Sequence, residues 1–195
     1  RPWYGSGLYR AMLGGGRRRK LRHVPADIWP GDANRGGDII AGNFVFGGHT
    51  VGGAGVNWYP DGVSARWLAQ LHGFGWLRDL RAAGGDGARA RARETVLDWI
   101  ETGEQWHELS WRPDVLGARV ANWLGQSEFI CAGAEPGFRE RFLDSIYRQV
   151  RHLARVAVYA ETSERRIMAL KGLIYAGIAF AEDCRPEEYP RDLLR

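Results

Sequence analysis

The stretch FRERFLDSIYRQVRHLARVAVYA, Phe138 to Ala160, predicts the fold class of the chain. Apolar side chains recur at steps of three and four residues, which places them along one side of a helix: Phe138, Phe142, Ile146, Val150, Leu153 and Ala157. Arginines occupy the other sides. His152 lies among these arginines and is expected at the surface. The stretch therefore predicts a long amphipathic helix with one buried side.

The same periodicity predicts further helices on both sides of this one. Ser64 is a suitable N-cap for a single helix that ends at Gly84-Gly85, and Pro113 suits the first turn of another. The remaining helices are expected at residues 87–101, 163–180 and, only just begun, 186–195. Because the joints between them are short, successive helices are expected to be antiparallel neighbours. The sequence thus predicts an all-α stack of helical hairpins.

Residues 1–62 differ from the rest because they are rich in glycine and proline and have no long helical period. Within them, GNFVFGGHTV, Gly42 to Val51, alternates apolar positions and turns at Gly47-Gly48, which is typical of a β-hairpin. We expect an irregular N-terminal arm and cap over residues 1–62 and a helical part over residues 63–195, together forming a single domain.

Charge and composition narrow the possible functions. The net charge is +4, and residues 1–35 alone carry eight Lys and Arg against two Asp and Glu, a balance of +6. The run Arg17 to Lys20 could bind nucleic acid, but a solvated linker is the preferred interpretation. No apolar run reaches eighteen residues, so no membrane span is predicted. No export signal is visible in the chain, which begins with Arg1 and is expected to be a fragment.

The known motifs of nucleotide, metal and serine-hydrolase sites do not occur in the sequence, and no cofactor or metal is predicted. The two cysteines, Cys131 and Cys184, are too few for a disulfide framework. The five histidines form no pair at metal-ligand spacing. Binding residues must therefore be sought by residue type and position.

Several side chains are candidates for binding a ligand. Among the nine tryptophans, Trp76 and Trp123 adjoin polar residues and could stack on sugar rings, although most tryptophans are expected to anchor helix packing. Arg119 and Asn122 lie three residues apart and could grip a carboxylate, or they could be a surface arginine and an interior amide. His72 is interpreted first as a satisfied core histidine and second as a ligand contact.

Three patterns in this order resemble the N-terminal helical domain of the heparinase II/III family of bacterial polysaccharide lyases. They are WLxxLHxFxWLxxL at residues 67–80, RxxNW at 119–123 and AxxGLxxAGxxF at 169–180. The resemblance covers about residues 29–195. It implies an incomplete α/α toroid of antiparallel helical hairpins with a small irregular or β-hairpin cap. It also implies that the rest of the toroid and a β-sandwich domain follow in the parent chain.

The resemblance implies β-elimination on uronic-acid polysaccharides, in which a base removes a proton beside the uronate carboxylate. Related sequences place an Asn-His pair just before the last pattern, where this chain has Glu164 and Arg165. Arg165 could still offset the uronate charge and joins His72, Trp76, Arg119, Asn122 and Trp123 as a candidate substrate contact. No complete catalytic set is present, and the isolated chain is expected to be inactive.

Three functions are therefore weighed. The first is the toroid part of a heparinase II/III-like lyase, with an acidic polysaccharide as partner. The second is a non-catalytic toroid that binds acidic glycans or is structural. The third, ranked last, is a nucleic-acid-binding helical protein. The resemblance implies a location in the cell envelope or periplasm, with a cytoplasmic location left open.

Overall fold

The computed structural model describes residue 13, residues 20–53 and residues 55–180. These residues are mostly helical, as predicted, and contain one small two-stranded sheet. The helix predicted at residues 186–195, the arginines at positions 17–19 and Cys184 lie outside the described residues. Among the described residues, no helix is both long enough and apolar enough to cross a membrane.

Eight α-helices and two strands follow one another in the described residues. They are α1 Ala33–Ile40, β1 Asn43–Phe46, β2 His49–Gly52, α2 Ala65–Gly73, α3 Leu77–Ala83, α4 Gly85–Asp98, α5 Pro113–Gly125, α6 Ser127–Cys131, α7 Pro136–Val156 and α8 Ser163–Ala179. A π-helical turn, Trp99–Gly103, continues α4, and a 3₁₀ turn, Ala157–Tyr159, continues α7.

The predicted hairpin is confirmed. Strands β1 and β2 pair antiparallel, with Phe46 opposite His49 at the turn end. The two turn residues, Gly47 and Gly48, both have positive φ, at 59° and 78°. A two-residue turn of this kind needs positive φ at both positions, which glycine adopts without strain. The sequence pair Gly-Gly is therefore what closes the hairpin.

The single helix predicted from Ser64 to Gly84 is wrong, because the structure divides it into α2 and α3. The cap itself is confirmed: the Ser64 side chain accepts a hydrogen bond from the Trp67 amide at 3.1 Å. Helix α2 ends where Phe74 adopts a left-handed conformation with φ of 57°. Phe74 is fully buried, so packing of its ring compensates for the backbone strain.

Helices α5 and α8 begin at the predicted residues, whereas α4 and α7 each begin two residues earlier than predicted. Pro113 and Pro136 occupy the first turns of α5 and α7, where the missing amide hydrogen costs nothing. The Thr162 hydroxyl caps α8 by accepting from the Arg165 amide at 3.3 Å. Helix α4 follows Gly84, and Asp86 lies in its first turn.

Helices α5 and α8 touch each other through their backbones at a pair of glycines. A Cβ atom on Gly117 would lie 2.3 Å from the carbonyl oxygen of Met168, and one on Gly172 would lie 2.6 Å from the carbonyl oxygen of Gly117. No side chain fits at either position. The two glycines therefore set how closely these helices approach.

An aromatic cluster around Phe74 forms the centre of the core. The ring centroid of Phe74 lies 4.9 Å from that of Trp76, 5.2 Å from that of Trp123 and 5.6 Å from that of Trp58. Phe44 of the hairpin contacts Trp76 at 5.1 Å, so the N-terminal elements share this core with the helices. The division of the chain at residues 62 and 63 stays a prediction.

Candidate functional site

His72 is buried at the C-terminal end of α2, and both of its ring nitrogens have partners. Its Nδ1 accepts a hydrogen bond from Trp99 Nε1 at 3.2 Å, so its Nε2 carries the proton and donates to the Trp58 carbonyl at 2.9 Å. Burial, and next the charge of Arg119, lower the pKa of His72 to about 3. His72 is therefore a neutral imidazole at neutral pH.

Arg119 is fully buried in α5 and is bonded to neutral groups. Its Nε donates to Gln149 Oε1 at 2.7 Å, and its Nη1 donates to the carbonyls of Ser110 and His72 at 2.9 and 3.1 Å. Its guanidinium carbon lies 4.1 Å from the centroid of the Trp99 ring. Burial lowers the pKa of Arg119 to about 9, which still leaves it charged at pH 7. We call these five side chains, His72, Trp99, Ser110, Arg119 and Gln149, the Arg119 cluster.

The cluster is closed on its outer side by Tyr59. The Tyr59 hydroxyl lies 2.9 Å from Ser110 Oγ, and its ring packs between His72 and His107 at centroid distances of 4.9 and 4.2 Å. Burial raises the pKa of Tyr59. The phenol therefore stays protonated and acts as a neutral lid.

A buried carboxylate lies near the cluster without contacting Arg119 by a hydrogen bond. Glu104, which follows the π-helical turn, accepts from Arg148 Nη2 at 2.8 Å and from Ser145 Oγ at 3.0 Å. Burial lowers the pKa of Arg119, and the negative charge of Glu104 opposes that shift by favouring the charged guanidinium. The buried charge of Arg119 is thus balanced by a nearby carboxylate that is itself paired with Arg148, and not by a carboxylate bonded directly to Arg119.

The other predicted contacts also have internal partners. Trp123 is fully buried between Trp99 and Phe142, at centroid distances of 5.4 Å from each. Trp76 Nε1 donates to the Leu71 carbonyl at 2.9 Å. Asn122 Nδ2 donates to the Gly73 carbonyl at 2.7 Å. Arg119 and Asn122 thus bond to different groups within the chain.

Arg165 and Glu164 lie in the first turn of α8, apart from the cluster's hydrogen bonds. Arg165 Nη1 forms an ion pair with Glu161 at 2.5 Å, and Glu164 is exposed. The structure therefore brings His72 and Arg119 together at Trp99, and Trp123 packs against the same Trp99 ring. Arg165 lies outside this group. A ligand-binding role for the six candidate residues stays a prediction.

The expectation that His152 lies at the surface is wrong. It is buried, and its ring meets Trp111 edge-on at a centroid distance of 5.2 Å. Burial, followed by the charges of Arg155 and Arg119, lowers its pKa to about 4. The neighbouring arginines in the sequence point to the other sides of α7, so they gave a misleading signal.

Sequence reasoning missed Trp99, Ser110 and Gln149, which complete the Arg119 cluster. They lie on three separate segments of the chain, so no spacing rule links them. Only the high number of tryptophans in the sequence indicated a large aromatic interior. Because both nitrogens of His72 and three N–H groups of Arg119 are already bonded, the cluster is suited to fixing the helices in place rather than to proton transfer.

Helix α8 presents apolar side chains to solvent on the side away from α5. We call this row the α8 stripe: Ile167, Leu170, Ile174 and Ile178. The cations Arg166 and Lys171 lie along its two edges at helical spacing. A contiguous exposed apolar row of this kind is typical of a surface that another element covers.

Comparisons with known proteins give one clear similarity. No protein-family model matches the chain, and no solved structure matches it. The chain is 33% identical over 181 residues to FtsZ-localized protein C of Caulobacter vibrioides. The match covers 91% of this chain but only 31% of that relative.

This similarity corrects several expectations drawn from the sequence patterns. The resemblance to the heparinase II/III family is wrong, because the similarity found is to an FtsZ-localized protein and no lyase family model matches. With it fall the lyase reaction on uronic-acid glycans, the acidic polysaccharide as partner and the location in the envelope or periplasm. The three short patterns hold helix-packing residues such as Gly172 and Trp123. The chain is therefore similar, over nine-tenths of its length, to about a third of a protein named for its location with FtsZ.

Proposed function

We propose that this chain is a helical interaction module that associates with the cell-division protein FtsZ. The observation that carries the proposal is the 33% identity to FtsZ-localized protein C, which extends over 91% of this chain. A match of that extent spans both helix-packing glycines and most of the core positions. FtsZ, which the relative is named for, is thus the first partner to test for this chain.

The surface of the described residues supports a role in protein contact. The α8 stripe and two further exposed residues, Ile28 and Trp29, place large apolar side chains in solvent. Exposed apolar surface of this kind is characteristic of protein interaction sites. The candidate polar residues of the interior, in contrast, bond mainly to other groups within the described residues, although Arg119 Nη2 and Trp123 Nε1 are buried donors without a hydrogen-bond partner there.

Direct binding to FtsZ tests the proposal. Purified FtsZ is immobilised for biolayer interferometry, and the full 195-residue chain is titrated against it at 150 mM salt. We expect saturable binding with a Kd of about 1–100 μM, in the range of transient protein contacts. An unrelated helical protein of the same net charge serves as the control for electrostatic attraction. No binding above that control up to 500 μM would contradict the proposal.

The arrangement of the helices is the second part of the proposal. We infer that they form part of a curved stack of antiparallel hairpins, an incomplete α/α toroid, in which the α8 stripe receives a further helix. The support is the exposed aliphatic row on α8, opposite the side packed on α5, and the relative's length, of which this chain matches 31%. A straight row of β-branched and leucine side chains suits helix-on-helix packing.

A structure of FtsZ-localized protein C tests this arrangement. The expected result is a helix from a neighbouring hairpin lying on the outer side of the helix equivalent to α8. A solvent-exposed row there, or a strand packed on it, would contradict the toroid while leaving the association with FtsZ to be judged by the binding measurement.

A further inference from the structure

The segment from Pro25 to Gly31 is fixed to the helices by a buried carboxylate. The Asp27 side chain is only 7% exposed and lies 3.2 Å from Arg78 Nη2 of α3. The same carboxylate accepts from Gln126 Nε2, at the end of α5, at 2.5 Å. Pairing a carboxylate this well buried holds the segment in one conformation, since leaving it unpaired would be costly.

The backbone after Asp27 is also held. Arg81 Nη2 donates to the carbonyls of Asp27 and Trp29 at 3.4 and 3.2 Å. Gly31 lies so close to α3 that a Cβ atom there would be 2.0 Å from the Arg78 carbonyl oxygen. The Asp32 amide donates to Asp79 Oδ1 at 2.8 Å. The chain is thus anchored on both sides of residues 28 and 29.

Between these anchors, the two largest apolar side chains of the segment, Ile28 and Trp29, face solvent. Ile28 is 84% exposed and Trp29 is 61% exposed. We call this pair the Ile28–Trp29 tip. Tryptophan is strongly enriched among residues that dominate binding energy at protein interfaces. Because the backbone is already ordered, a partner that covers the tip would lose little free energy to ordering it.

The charge beside the tip indicates what its partner contributes. Among the described residues, Arg81 donates only to backbone carbonyls and contacts no carboxylate. Arg35, on the opposite side of the segment, is paired with Asp32 and Asp79. Of the described arginines that contact this segment, Arg81 is therefore the one without a carboxylate partner, and a carboxylate from outside could neutralise it.

We propose that the Ile28–Trp29 tip and Arg81 form the surface with which this chain contacts FtsZ, which would supply an apolar recess with an acidic rim. This inference rests on the proposed association with FtsZ. The tip differs from the α8 stripe, because an indole on a fixed projecting loop suits insertion into a recess, whereas the stripe is a straight aliphatic row on a helix. Complementary charge at Arg81 orients the contact and speeds association.

The test compares a double variant of the tip with a matched pair on α8. Ile28→Ala with Trp29→Ala is titrated, as the full chain, against immobilised FtsZ, and Ile174→Ala with Ile178→Ala is the control. We expect the tip variant to raise Kd at least about thirtyfold and the control to change it less than threefold. Both pairs are exposed, so the Tm of each variant should stay within about 2 °C of the parent.

The outcomes separate the two proposals. If the parent chain binds FtsZ and the tip variant binds within threefold of it, the inference about the tip is overturned and the association with FtsZ stands. An equal loss in the α8 control also overturns it, because the effect would not be specific to the tip. If the parent chain does not bind FtsZ, the association fails and the inference fails with it.

Two further variants test the indole ring and the positive charge separately. Trp29→Phe retains a large ring and should recover most of the affinity lost in the double variant. Arg81→Lys keeps the charge, so the salt dependence of the association rate should be preserved. Sedimentation with phosphatidylglycerol vesicles is run alongside: vesicle binding by the parent that is lost in the tip variant, with FtsZ binding unchanged, would make the tip a membrane contact and overturn the proposal.

Discussion

The Arg119 cluster and the Ile28–Trp29 tip invert the usual distribution of side chains. The cluster holds a guanidinium in the interior, and the tip holds the indole of Trp29 and the branched aliphatic side chain of Ile28 in solvent. Each is kept in place by hydrogen bonds from several elements. The comparison teaches that the neighbouring groups, and not the residue type alone, decide whether a side chain is buried or exposed. A polar side chain is retained in the interior, or an apolar one in solvent, only when other groups hold it there.

The largest test of this comparison removes the buried charge. Arg119→Ala should lower the free energy of unfolding by about 3–5 kcal/mol, because it leaves a cavity and deprives Gln149 and two carbonyls of their donor. Urea unfolding at pH 7 measures the loss. Arg89→Ala, which removes an exposed arginine paired with Asp86, is the control and should cost about 0.5 kcal/mol or less. A loss below about 1 kcal/mol for Arg119→Ala would show that the cluster is not a support.

The second test lowers the pH. The pKa of His72 is about 3 in the folded chain and near 6.5 when unfolded, so the unfolded state binds the proton first as the pH falls. Stability from this residue is complete above about pH 6.5 and is lost at about 1.4 kcal/mol per pH unit between 6.5 and 3. His152 adds a loss of the same sign down to about pH 4.

Urea unfolding at pH 7, 6 and 5 measures this dependence. His72→Gln should be less stable at pH 7 but should show a flatter pH profile than the parent. His23→Gln, at an exposed position, is the control and should leave the profile unchanged. A parent profile that is flat from pH 7 to 5 would contradict the neutral, buried imidazole described above.

The third test, with the smallest expected effect, removes the carboxylate that anchors the Ile28–Trp29 tip. Asp27→Ala removes the carboxylate that binds Arg78 and Gln126, and should lower the free energy of unfolding by about 1–3 kcal/mol. Hydrogen exchange should quicken at the amides of Ile28, Trp29 and Gly31, whereas Asp61→Ala, at an exposed position, should leave them unchanged. Unaltered exchange in the Asp27 variant would mean that the tip is ordered without this anchor.

The sequence predicted much of the helical fold, because its signals are local. Ser64 as a cap, Pro113 as a first-turn residue and Gly47-Gly48 as a turn all act through groups within a few residues. The break at Phe74 was missed because it depends on ring packing against tryptophans from distant parts of the chain. A single αL residue between two helical stretches does not disturb the three- and four-residue spacing of the apolar positions.

The candidate site was predicted less well, for the same reason. His72 was correctly interpreted first as a core histidine, but its partners Trp58 and Trp99 lie 14 and 27 residues away along the chain. His152 was misplaced because flanking arginines on a helix can point away from a buried side. Ile28 and Trp29 fall in a stretch with no periodicity, where sequence gives no information on exposure.

The contact between Gly117 and Gly172 makes α5 and α8 mechanically continuous. Side chains at a helix crossing act as compliant spacers, because their rotamers can absorb small displacements, and here there are none. Gly117 lies two residues before Arg119 in α5, so a displacement of α8 at this contact would move the stretch of backbone that carries Arg119. A partner that presses on α8 is therefore expected to alter the packing of the Arg119 guanidinium over the Trp99 ring.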